Sequence, residues 1–418
     1  MQRGKFYIGI DWATEKHALC ITDAEGRVLK ERSIPNDSTL FEILAALIGG
    51  APANEVFVAI ETRRLVVVEA LVARGFRVFT INPKQSERFR DRFSPAGVKD
   101  DRLDARVLAS SLRTDFELFR EVEHEDAPHI RLRHATRLQQ TLQAQLREVA
   151  NRLRDVVMSS IPLLLKLCNG ADERWFWGLV ALTPNVDAAR LVTDEQLKEL
   201  LAKHRIRRLA VSDVRAVLQG AHLSTAPGVS DGAHWQATLL IAQLQLLDSQ
   251  ERAAAGQITA ALRERRARTD EDEPTDVEII MSAPGFAEHT TGVLLAEAGG
   301  PITRRALPEL RALCGVAPVT KSSGKPRKQS KWTKKGANLN GAVVMRQAVN
   351  VRLRNAAHHA GAAASRDPRF APIYARLRSE GANHARAVRG VVDRLLNVLM
   401  AMLRTGTLYD PARFAPKA

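Results

Sequence analysis

Residues 6–11, FYIGID, decide the fold of the first part of the chain. A short run of aromatic and aliphatic residues that ends at an acidic residue predicts a β-strand. The segments 17–23 and 27–34 follow, separated by a turn that contains glycine. The three segments together therefore predict an antiparallel meander.

The chain then changes from strand–turn–strand to strand–helix–strand. Residues 56–60, VFVAI, form an unbroken apolar run that is typical of a strand buried on both faces. Helices are predicted over 39–48 and about 64–73, a further strand over 78–81, and a further helix from about 101 to 112. This order predicts an α/β domain with a mixed sheet over about 1–115.

Two long helical patterns follow the first domain. Apolar residues recur at spacings of three and four within 130–157 and again within 240–261, which predicts amphipathic helices of coiled-coil type. We interpret residues 128–268 as a coiled-coil helical hairpin with an inserted segment, about 166–232, at its tip. The two helices could pair with each other or with a second subunit.

The rest of the chain, 275–418, is predicted to be a mainly helical domain, and it is strongly basic. Residues 301–418 contain 23 Lys and Arg against 5 Asp and Glu, a balance of +18, whereas the whole chain carries +15. All of the excess positive charge therefore lies in this last part. Such a surface attracts a polyanion, for which nucleic acid is the usual candidate.

A glycine-containing helical hairpin is predicted near the start of this basic part. Residues 284–286, PGF, precede an apolar helix, and Gly299 and Gly300 follow it. A helix, a tight glycine turn and a second helix would present backbone N–H groups to phosphate.

Composition excludes several classes of protein. With 45% hydrophobic and 26% charged residues, the 418-residue chain is of globular rather than disordered composition. Its apolar runs are shorter than the roughly 20 residues of a membrane-spanning helix, and its first residues lack the features of a signal peptide. Three widely separated cysteines, Cys20, Cys168 and Cys314, exclude a disulfide framework, so we expect a cytoplasmic protein with no membrane partner.

The candidate site consists of four carboxylates, Asp11, Glu61, Asp101 and Asp104. The first two each end an apolar strand, and if these strands are neighbours, both side chains project from the same end of the sheet. The other two are three residues apart at the start of a helix, so they share one face near its positive end. Clustered carboxylates repel one another unless a cation lies between them, and this donor set suits Mg²⁺ or Mn²⁺. A pair of such metals would stabilise the attacking and leaving oxygens at a phosphodiester.

Each of these acids also has an ordinary structural interpretation. An Asp after a strand is commonly a turn residue or a helix cap, and an Asp pair in a first helical turn commonly offsets the helix dipole. The metal-site hypothesis therefore depends on all four acids together.

Several stretches of the sequence resemble one protein family. GIDWA at 9–13, IET at 60–62 and KDDRLDARVLA at 99–109 are similar to the N-terminal RuvC-like domain of the IS110 family of DEDD transposases. PGFAEHTTGVLLAEAGG at 284–300 and LRALCGVAPVTKSSGK at 310–325 are similar to the C-terminal transposase domain of that family.

Outside about 166–232 the resemblance covers nearly the whole chain. It implies an RNase H-like fold for the first domain, and it matches the family's four acids to the four carboxylates above. Where the family usually has Ser or Thr before the third acid, this chain has Asp100. Asp100 could therefore share or replace the role of Asp101.

The resemblance also implies a catalytic nucleophile. In the family, a serine before a glycine in the C-terminal domain joins covalently to DNA, and Ser323 before Gly324 matches it. From the residues alone, a serine in a loop rich in Gly and Pro is ordinarily a turn residue. Ser322 is the neighbouring alternative.

Ser323 lies in a strongly basic segment, 321–335, KSSGKPRKQSKWTKK, which contains no acid. Cations beside a serine would hold a phosphate and neutralise the charge that develops on it. The segment predicts nucleic-acid contacts by Lys321, Lys325, Arg327, Lys328, Lys331, Lys334 and Lys335. Trp332, in the same segment, could stack on a base.

The family further implies partners and a location. Its substrates are donor and target duplex DNA, its metal is Mg²⁺ or Mn²⁺, and its active form is a homo-oligomer, a dimer or a tetramer, in which acidic and serine sites meet across subunits. It also implies guidance by a structured non-coding RNA, the bridge RNA, with which the basic surface is merely compatible. The implied location is the prokaryotic cytoplasm, in association with the nucleoid.

Three other functions fit parts of the same pattern. A related site-specific DNA invertase would use the same pair of domains. A metal-only nuclease of the Holliday-junction-resolvase type would use the four acids and an attacking water, without a covalent intermediate. A nucleic-acid scaffold would use the basic surface and no catalytic residue.

Overall fold

The computed structural model describes residues 4–61, 66–81, 83–93, 100–122, 126–223, 226–266, 273–321 and 342–412. The chain divides into two compact units, Met1–Glu125 and Asp126–Ala418. The predicted hairpin and the predicted basic domain thus lie in one unit, and the division of the chain into three domains stays a prediction.

The first unit is built on a six-stranded mixed sheet. Its strands are β1 (Phe6–Asp11), β2 (Lys16–Asp23), β3 (Val28–Pro35), β4 (Val56–Ile60), β5 (Arg77–Thr80) and β6 (Arg120–Glu121). They lie in the order β3-β2-β1-β4-β5-β6. The first three strands form the predicted antiparallel meander, β4 runs parallel to β1, and β5 runs parallel to β4. The expected mixed α/β architecture of the first domain is therefore confirmed.

Helices cover both faces of this sheet. They are α1 (Thr39–Leu47), α2 (Val66–Ala73), α3 (Pro83–Arg90) and α4 (Asp101–Thr114). Because side chains alternate along a strand, Ile8 and Ile10 share a core with Leu40 of α1 and Leu71 of α2. On the other face Tyr7 shares a core with Phe57 and Phe79 of the neighbouring strands and with Leu108 and Leu112 of α4.

Two long helices, α5 (Ala127–Ser160) and α10 (Pro227–Arg266), begin the second unit. They run antiparallel, because Arg131 near the start of α5 pairs with Glu264 near the end of α10, whereas Gln139 and Gln143 bond to Glu251. Asp126 caps α5 by accepting a 2.7 Å hydrogen bond from the His129 N–H.

Four shorter helices join the ends of this pair: α6 (Arg174–Leu182), α7 (Val186–Leu191), α8 (Asp194–Lys203) and α9 (Val211–Leu218). Trp175, Phe176 and Trp177 are buried in their core together with Leu153 of α5 and Leu244 of α10. The tryptophans of the inserted segment are therefore packing residues at the tip of the helical pair.

The C-terminal part of the second unit is helical, with one small sheet. Its elements are α11 (Asp276–Ser282), α12 (Glu288–Thr303), α13 (Leu307–Leu313), β7 (Pro318–Lys321), β8 (Ala342–Met345), α14 (Val351–Ala364), α15 (Ala371–Ser379) and α16 (His384–Thr405). Buried residues along α16, including Val391, Leu395 and Leu399, lie at the centre of the core that these helices share. Within this part, which is predicted to be mainly helical, Ala342–Met345 is a strand that pairs antiparallel with β7.

A glycine turn between two helices is present at Pro284 and Gly285, between α11 and α12, but not at Gly299 and Gly300. Gly299 and Gly300 directly follow a kink at Ala298 inside α12. A Cβ at Gly299 would stand 2.4 Å from the His129 ring, and one at Gly285, where φ is +84°, would stand 2.1 Å from the Ala360 carbonyl oxygen. At Gly285 and Gly299 the absence of a side chain therefore allows close packing between helices, and phosphate binding at this turn stays a prediction.

Within the described ranges, no helix combines the length and the apolar character that a membrane span requires.

Candidate functional site

Asp11 and Glu61 lie at the same end of two neighbouring strands. β1 and β4 are parallel, and Ile10 is opposite Ile60 in their register. Asp11 is the last residue of β1 and Glu61 follows β4 directly, so each continues its strand past this pair. Both carboxylates are half-buried. The predicted site requires that the strands that lead to these two acids are neighbours, and β1 and β4 are neighbours.

The alternation of side chains assigns both acids to the face of the sheet that α4 covers. Tyr7 and Phe57 point into the core beneath α4. Asp11 is four residues after Tyr7 and Glu61 is four residues after Phe57, so an extended backbone directs all four side chains to the same face.

Helix α4 approaches this face at Gly9. A Cβ at Gly9 would stand 1.8 Å from the Ala105 carbonyl oxygen and 2.7 Å from the Ala109 nitrogen. At the other end of α4, Arg113 lies against Gly26 in the turn between β2 and β3. Because that turn adjoins the start of β1, α4 runs opposite to β1 and its first turn lies near the strand end that carries Asp11.

The first turn of α4 carries the remaining two acids. Asp100 is the N-cap of this helix, and its carboxylate accepts a 3.2 Å hydrogen bond from the Arg102 N–H. Asp101 is exposed and Asp104 is buried. Since the Asp100 side chain is engaged in capping, its geometry favours Asp101 over Asp100 as the third member of the acidic set.

Asp104 is bound to a cation of the protein. Its Oδ1 lies 2.5 Å from Nε of Arg90 in α3, and the two side chains are only 8% and 23% exposed. A buried carboxylate requires such a partner, because an unpaired charge in the interior is costly. Arg90 gives no signal in the sequence, since no spacing links it to the acidic residues.

His17 is a second residue that sequence reasoning missed. Its Nδ1 accepts a 3.2 Å hydrogen bond from the Ala13 N–H, in the turn that follows Asp11. Burial lowers the pKa of His17, against a smaller opposite effect of a hydrogen bond with Asn36, so the neutral ring is the form that holds this turn. A lone histidine within a strand pattern gives little signal of such a role.

The folded elements bring the four acids to one end of the sheet, but not into a closed metal-binding group. In the part of the chain that the structure describes, no set of three or more His, Cys, Asp or Glu side chains lies close enough to hold a metal ion. The donor type fits a hard divalent cation, because all four groups are carboxylates. Asp104 is engaged with Arg90 instead.

The residues before and after the predicted serine segment form strands β7 and β8. Lys321 is the last residue of β7 and pairs in register with Ala342 of β8, so the ends of the segment 322–341 are held side by side. The other predicted residues of the basic segment lie outside the described residues: Ser322, Ser323, Lys325, Arg327, Lys328, Lys331, Trp332, Lys334 and Lys335.

Comparison with known families gives two matches. A model of the DEDD transposases of the IS110 type, described as Transposase, matches residues 8–162. A model described as Transposase IS116/IS110/IS902 family matches residues 277–362. The first match contains all four acids and the second contains Ser323.

Several curated relatives are similar to this chain. The mini-circle putative transposase for IS117 of Streptomyces coelicolor is 30% identical, over 98% of this chain and 97% of its own length. An uncharacterized 42 kDa protein of insertion element IS900, from Mycobacterium paratuberculosis, is 28% identical over 97% of both chains. The putative transposase y4uE of Sinorhizobium fredii is 41% identical, but the match covers only 48% of this chain and 57% of that protein.

Proposed function

The chain belongs to the IS110 family of transposases, and from this premise we propose that it cuts and rejoins DNA with two sets of residues. The first set is the acidic quartet, Asp11, Glu61, Asp101 and Asp104. The second is Ser323 with the basic residues around it. The proposed reaction is strand exchange between donor and target duplexes through a covalent phosphoserine intermediate.

One observation carries the acidic half of this proposal. Two parallel neighbouring strands end in Asp11 and Glu61, and the capped first turn of α4 lies near the same strand end. Four carboxylates in such a position suit Mg²⁺ or Mn²⁺, which would supply positive charge to the phosphodiester when bound. Asp11, Glu61 and Asp101 would bind such a cation directly, and Asp104 would join them on leaving Arg90.

Ser323 supplies the attacking oxygen in this proposal. Its hydroxyl gives its proton to solvent as it bonds to the scissile phosphorus, and the deoxyribose oxygen of the cut strand leaves and takes up a proton to become a hydroxyl. Attack on the phosphoserine by a hydroxyl of the other duplex then rejoins the strands and frees the serine. Lys321, Lys325, Arg327 and Lys328 would neutralise the charge that develops on phosphate, while Lys331, Lys334 and Lys335 hold the DNA backbone.

Homo-oligomerisation is part of the same proposal, because acidic and serine sites of the family meet across subunits. The outer side of α10 supports it: Trp235, Leu239 and Leu246 recur at helical spacing and are 65%, 55% and 59% exposed. An apolar stripe of this kind suits pairing with a second subunit as a coiled coil. We expect a dimer or a tetramer.

Guidance by a bridge RNA completes the proposal. It is supported by family membership and by the balance of +18 over residues 301–418, which suits a second polyanion besides DNA. The same charge supports association with the nucleoid.

The test is to trap the covalent intermediate. A suicide substrate that spans the junction between the element and its flanking DNA is incubated with the full chain, Mg²⁺ and RNA from the flanking non-coding region. We expect a protein–DNA adduct that survives denaturation, that is lost in Ser323→Ala and that is retained in Ser322→Ala. An adduct that persists in Ser323→Ala contradicts the assignment of the nucleophile.

The acidic half has its own matched control. Asp11→Asn should abolish Mg²⁺-dependent cleavage, since a neutral amide is a poor ligand for this cation. Asp23→Asn should not, because Asp23 ends β2 opposite Phe6, at the other end of β1. Cleavage without any adduct would favour the Holliday-junction type of nuclease, and an absence of cleavage with RNA supplied would favour a scaffold.

A further inference from the structure

A small cavity of about 290 Å³ lies in the C-terminal part of the second unit. Three buried residues, Cys314, Val316 and Val392, contribute its apolar floor. They belong to the turn after α13 and to the middle of α16. This cavity is distinct from the acidic site, which belongs to the first unit.

Polar residues form the rim of this cavity. Arg354 and Asn355 of α14 are exposed, and His358 of α14 and Arg389 of α16 are half-buried. No Asp or Glu is among the described residues that line it. Two permanent positive charges therefore converge on a space that holds no compensating carboxylate.

Among the described residues of this part of the chain, some arginines are paired with carboxylates, and the two arginines at the rim are not. Arg305 and Arg311 each form an ion pair with a carboxylate, Asp276 and Asp393 respectively. The guanidinium groups of Arg354 and Arg389 form no ion pair or hydrogen bond with any residue that the structure describes. Unpaired guanidinium groups at one cavity are available to an anion from outside the protein.

The remaining rim residues suit an anion as well. Burial lowers the pKa of His358, and the neighbouring His359, His384 and Arg389 lower it further, which indicates a positive environment. The Asn355 amide can donate hydrogen bonds without adding charge. A phosphate oxygen accepts from all of these groups.

The cavity lies beside the residues that lead into β7. Gly315 and Val316 line it, and β7 begins two residues later at Pro318. β7 and β8 hold the two ends of the segment 322–341 side by side. The start of β7 therefore lies close to this cavity.

We propose that this cavity binds one phosphodiester group of the DNA strand on which the chain acts. Arg354 and Arg389 contact the same phosphate, and Asn355 donates a further hydrogen bond. The proposal rests on the proposed function for the identity of the polyanion. A backbone phosphate fits better than a free nucleotide, because no Phe, Tyr or Trp among the described lining residues is available to stack on a base.

The test measures DNA binding without cleavage. The full chain in a Ser323→Ala background, without divalent metal, is titrated with labelled duplex DNA over a range of salt concentrations. Arg354→Gln, Arg389→Gln and the double variant are compared with a matched double variant, Arg366→Gln/Arg394→Gln. Arg366 and Arg394 are exposed, lie just after α14 and on α16, and do not line the cavity.

If two arginines bind the same phosphate, the DNA affinities of the single and double variants follow a distinctive pattern. Each single variant should weaken binding by about tenfold, the usual worth of a charged hydrogen bond. The double variant should be little weaker than either, because the effects of groups that share a partner are not additive. Loss of one phosphate contact should also make the slope of log affinity against log salt shallower by about 0.9.

Several results would overturn the proposal. If the losses of DNA affinity in the two single variants multiply in the double variant, the two arginines do not share one phosphate. If the Arg366→Gln/Arg394→Gln variant loses as much affinity, the effect comes from the general positive charge of the surface. A loss seen with RNA of the same sequence and not with DNA assigns the cavity to the other polyanion. If circular dichroism shows that a Gln variant melts at a lower temperature than the parent chain, Arg389→Lys is measured in its place. This variant keeps the positive charge, so the slope of log affinity against log salt must stay unchanged while the affinity for DNA falls. Because no strand is cut, failure of the serine mechanism leaves this measurement unaffected.

Discussion

Gly9 positions the acidic site although it has no chemical role in it. The residue lies two positions before Asp11, and α4 packs so closely there that the Ala105 carbonyl oxygen occupies the space of a side chain. Cys20 is opposite Gly9 on β2 and shares a small core with Ala105 and Ala109. A single glycine thus sets the distance between the strand that carries Asp11 and the helix that carries Asp101 and Asp104.

Gly9→Ala should therefore destabilise the first unit and displace the first turn of α4. An added methyl group in a closed site typically costs 1–3 kcal/mol, and a contact with backbone is the severe case, so we expect about 3 kcal/mol or more. Gly256→Ala on α10 is the matched control, because nothing lies within 4 Å of the added Cβ. It should stabilise the chain by about 1 kcal/mol through helix propensity. Urea unfolding measures both, and a neutral Gly9→Ala would contradict the observed packing.

Arg90 supplies the positive charge that the buried Asp104 carboxylate requires. In Arg90→Gln the buried carboxylate loses its cation, so the variant should melt at a lower temperature. Added Mg²⁺ should then raise the melting temperature of Arg90→Gln by more than that of the parent chain. The control is Arg92→Gln, which breaks the pair of Arg92 with Asp115, an acid outside the quartet. Equal Mg²⁺ shifts in the two variants would argue against Asp104 as a metal ligand.

At the scale of elements, one buried carboxylate joins three helices. Glu297 of α12 accepts a 2.7 Å hydrogen bond from Nε of Arg137 in α5 and another of 2.7 Å from Nδ2 of Asn350, the N-cap of α14. Its side chain is only 5% exposed. Burial alone would raise the pKa of Glu297, but the bonds from Arg137 and Asn350 outweigh it and hold the pKa below its usual value.

The stability of this junction should depend on pH in a defined direction. A carboxyl whose pKa is lower in the folded state stabilises the fold above its unfolded pKa, about 4.5, and loses that effect as the pH falls through the folded value. Arg137→Gln leaves the carboxylate buried without its cation and should cost about 3–5 kcal/mol at pH 7. Glu297→Gln should flatten the decline in stability below pH 4.5. If the free energy of unfolding of Glu297→Gln falls below pH 4.5 as steeply as that of the parent chain, other groups cause the sensitivity to acid.

Elements with a clear hydrophobic period could be predicted from the sequence, and the others could not. Residues 56–60 and 130–157 carry strong patterns, because each buries a regular set of side chains. β7 and β8 were missed, since four-residue strands beside a basic segment bury too little for alternation to appear. A turn was predicted at Gly299–Gly300 because the sequence alone does not distinguish a glycine that allows helices to pack closely from a glycine in a turn.

Of the residues of the candidate site, some could likewise be predicted from the sequence and others could not. The acids could be predicted, because each is attached to the end of a recognisable strand or helix. Arg90 and His17 could not, since their roles depend on contacts between separate elements, the pairs Arg90–Asp104 and His17–Ala13. The cavity at Arg354 and Arg389 was likewise missed, because three elements distant in sequence form it.

At the scale of the whole molecule, charge and chemistry are divided along the chain. The acidic quartet lies in the first unit, and the balance of +18 lies entirely in the last 118 residues of the second. Under the proposed function, this division keeps the carboxylates that would bind a divalent cation far along the chain from the lysines that would bind phosphate.

The three cysteines report on three separate cores of the molecule. Cys20 is buried beneath α4, Cys314 is buried in the C-terminal core, and Cys168 is partly buried in the core at the tip of the helical pair. Burial raises the pKa of Cys20 and of Cys314 to about 12, and it raises that of Cys168 as well. Because the thiolate is the reactive form, native thiols in these positions should alkylate slowly.

Pulsed alkylation with mass spectrometry should therefore resolve local opening in each core. In the parent chain we expect Cys168 to react first and the two buried thiols to react only when their cores open. Gly9→Ala should accelerate Cys20, which lies opposite the substituted residue, and leave Cys314 unchanged. Arg137→Gln should accelerate Cys314 instead, because the Asn350 N–H that bonds to the Leu313 carbonyl belongs to the same junction as Glu297. If all three thiols accelerate together in either variant, the cores open as one cooperative unit and the local interpretation is wrong.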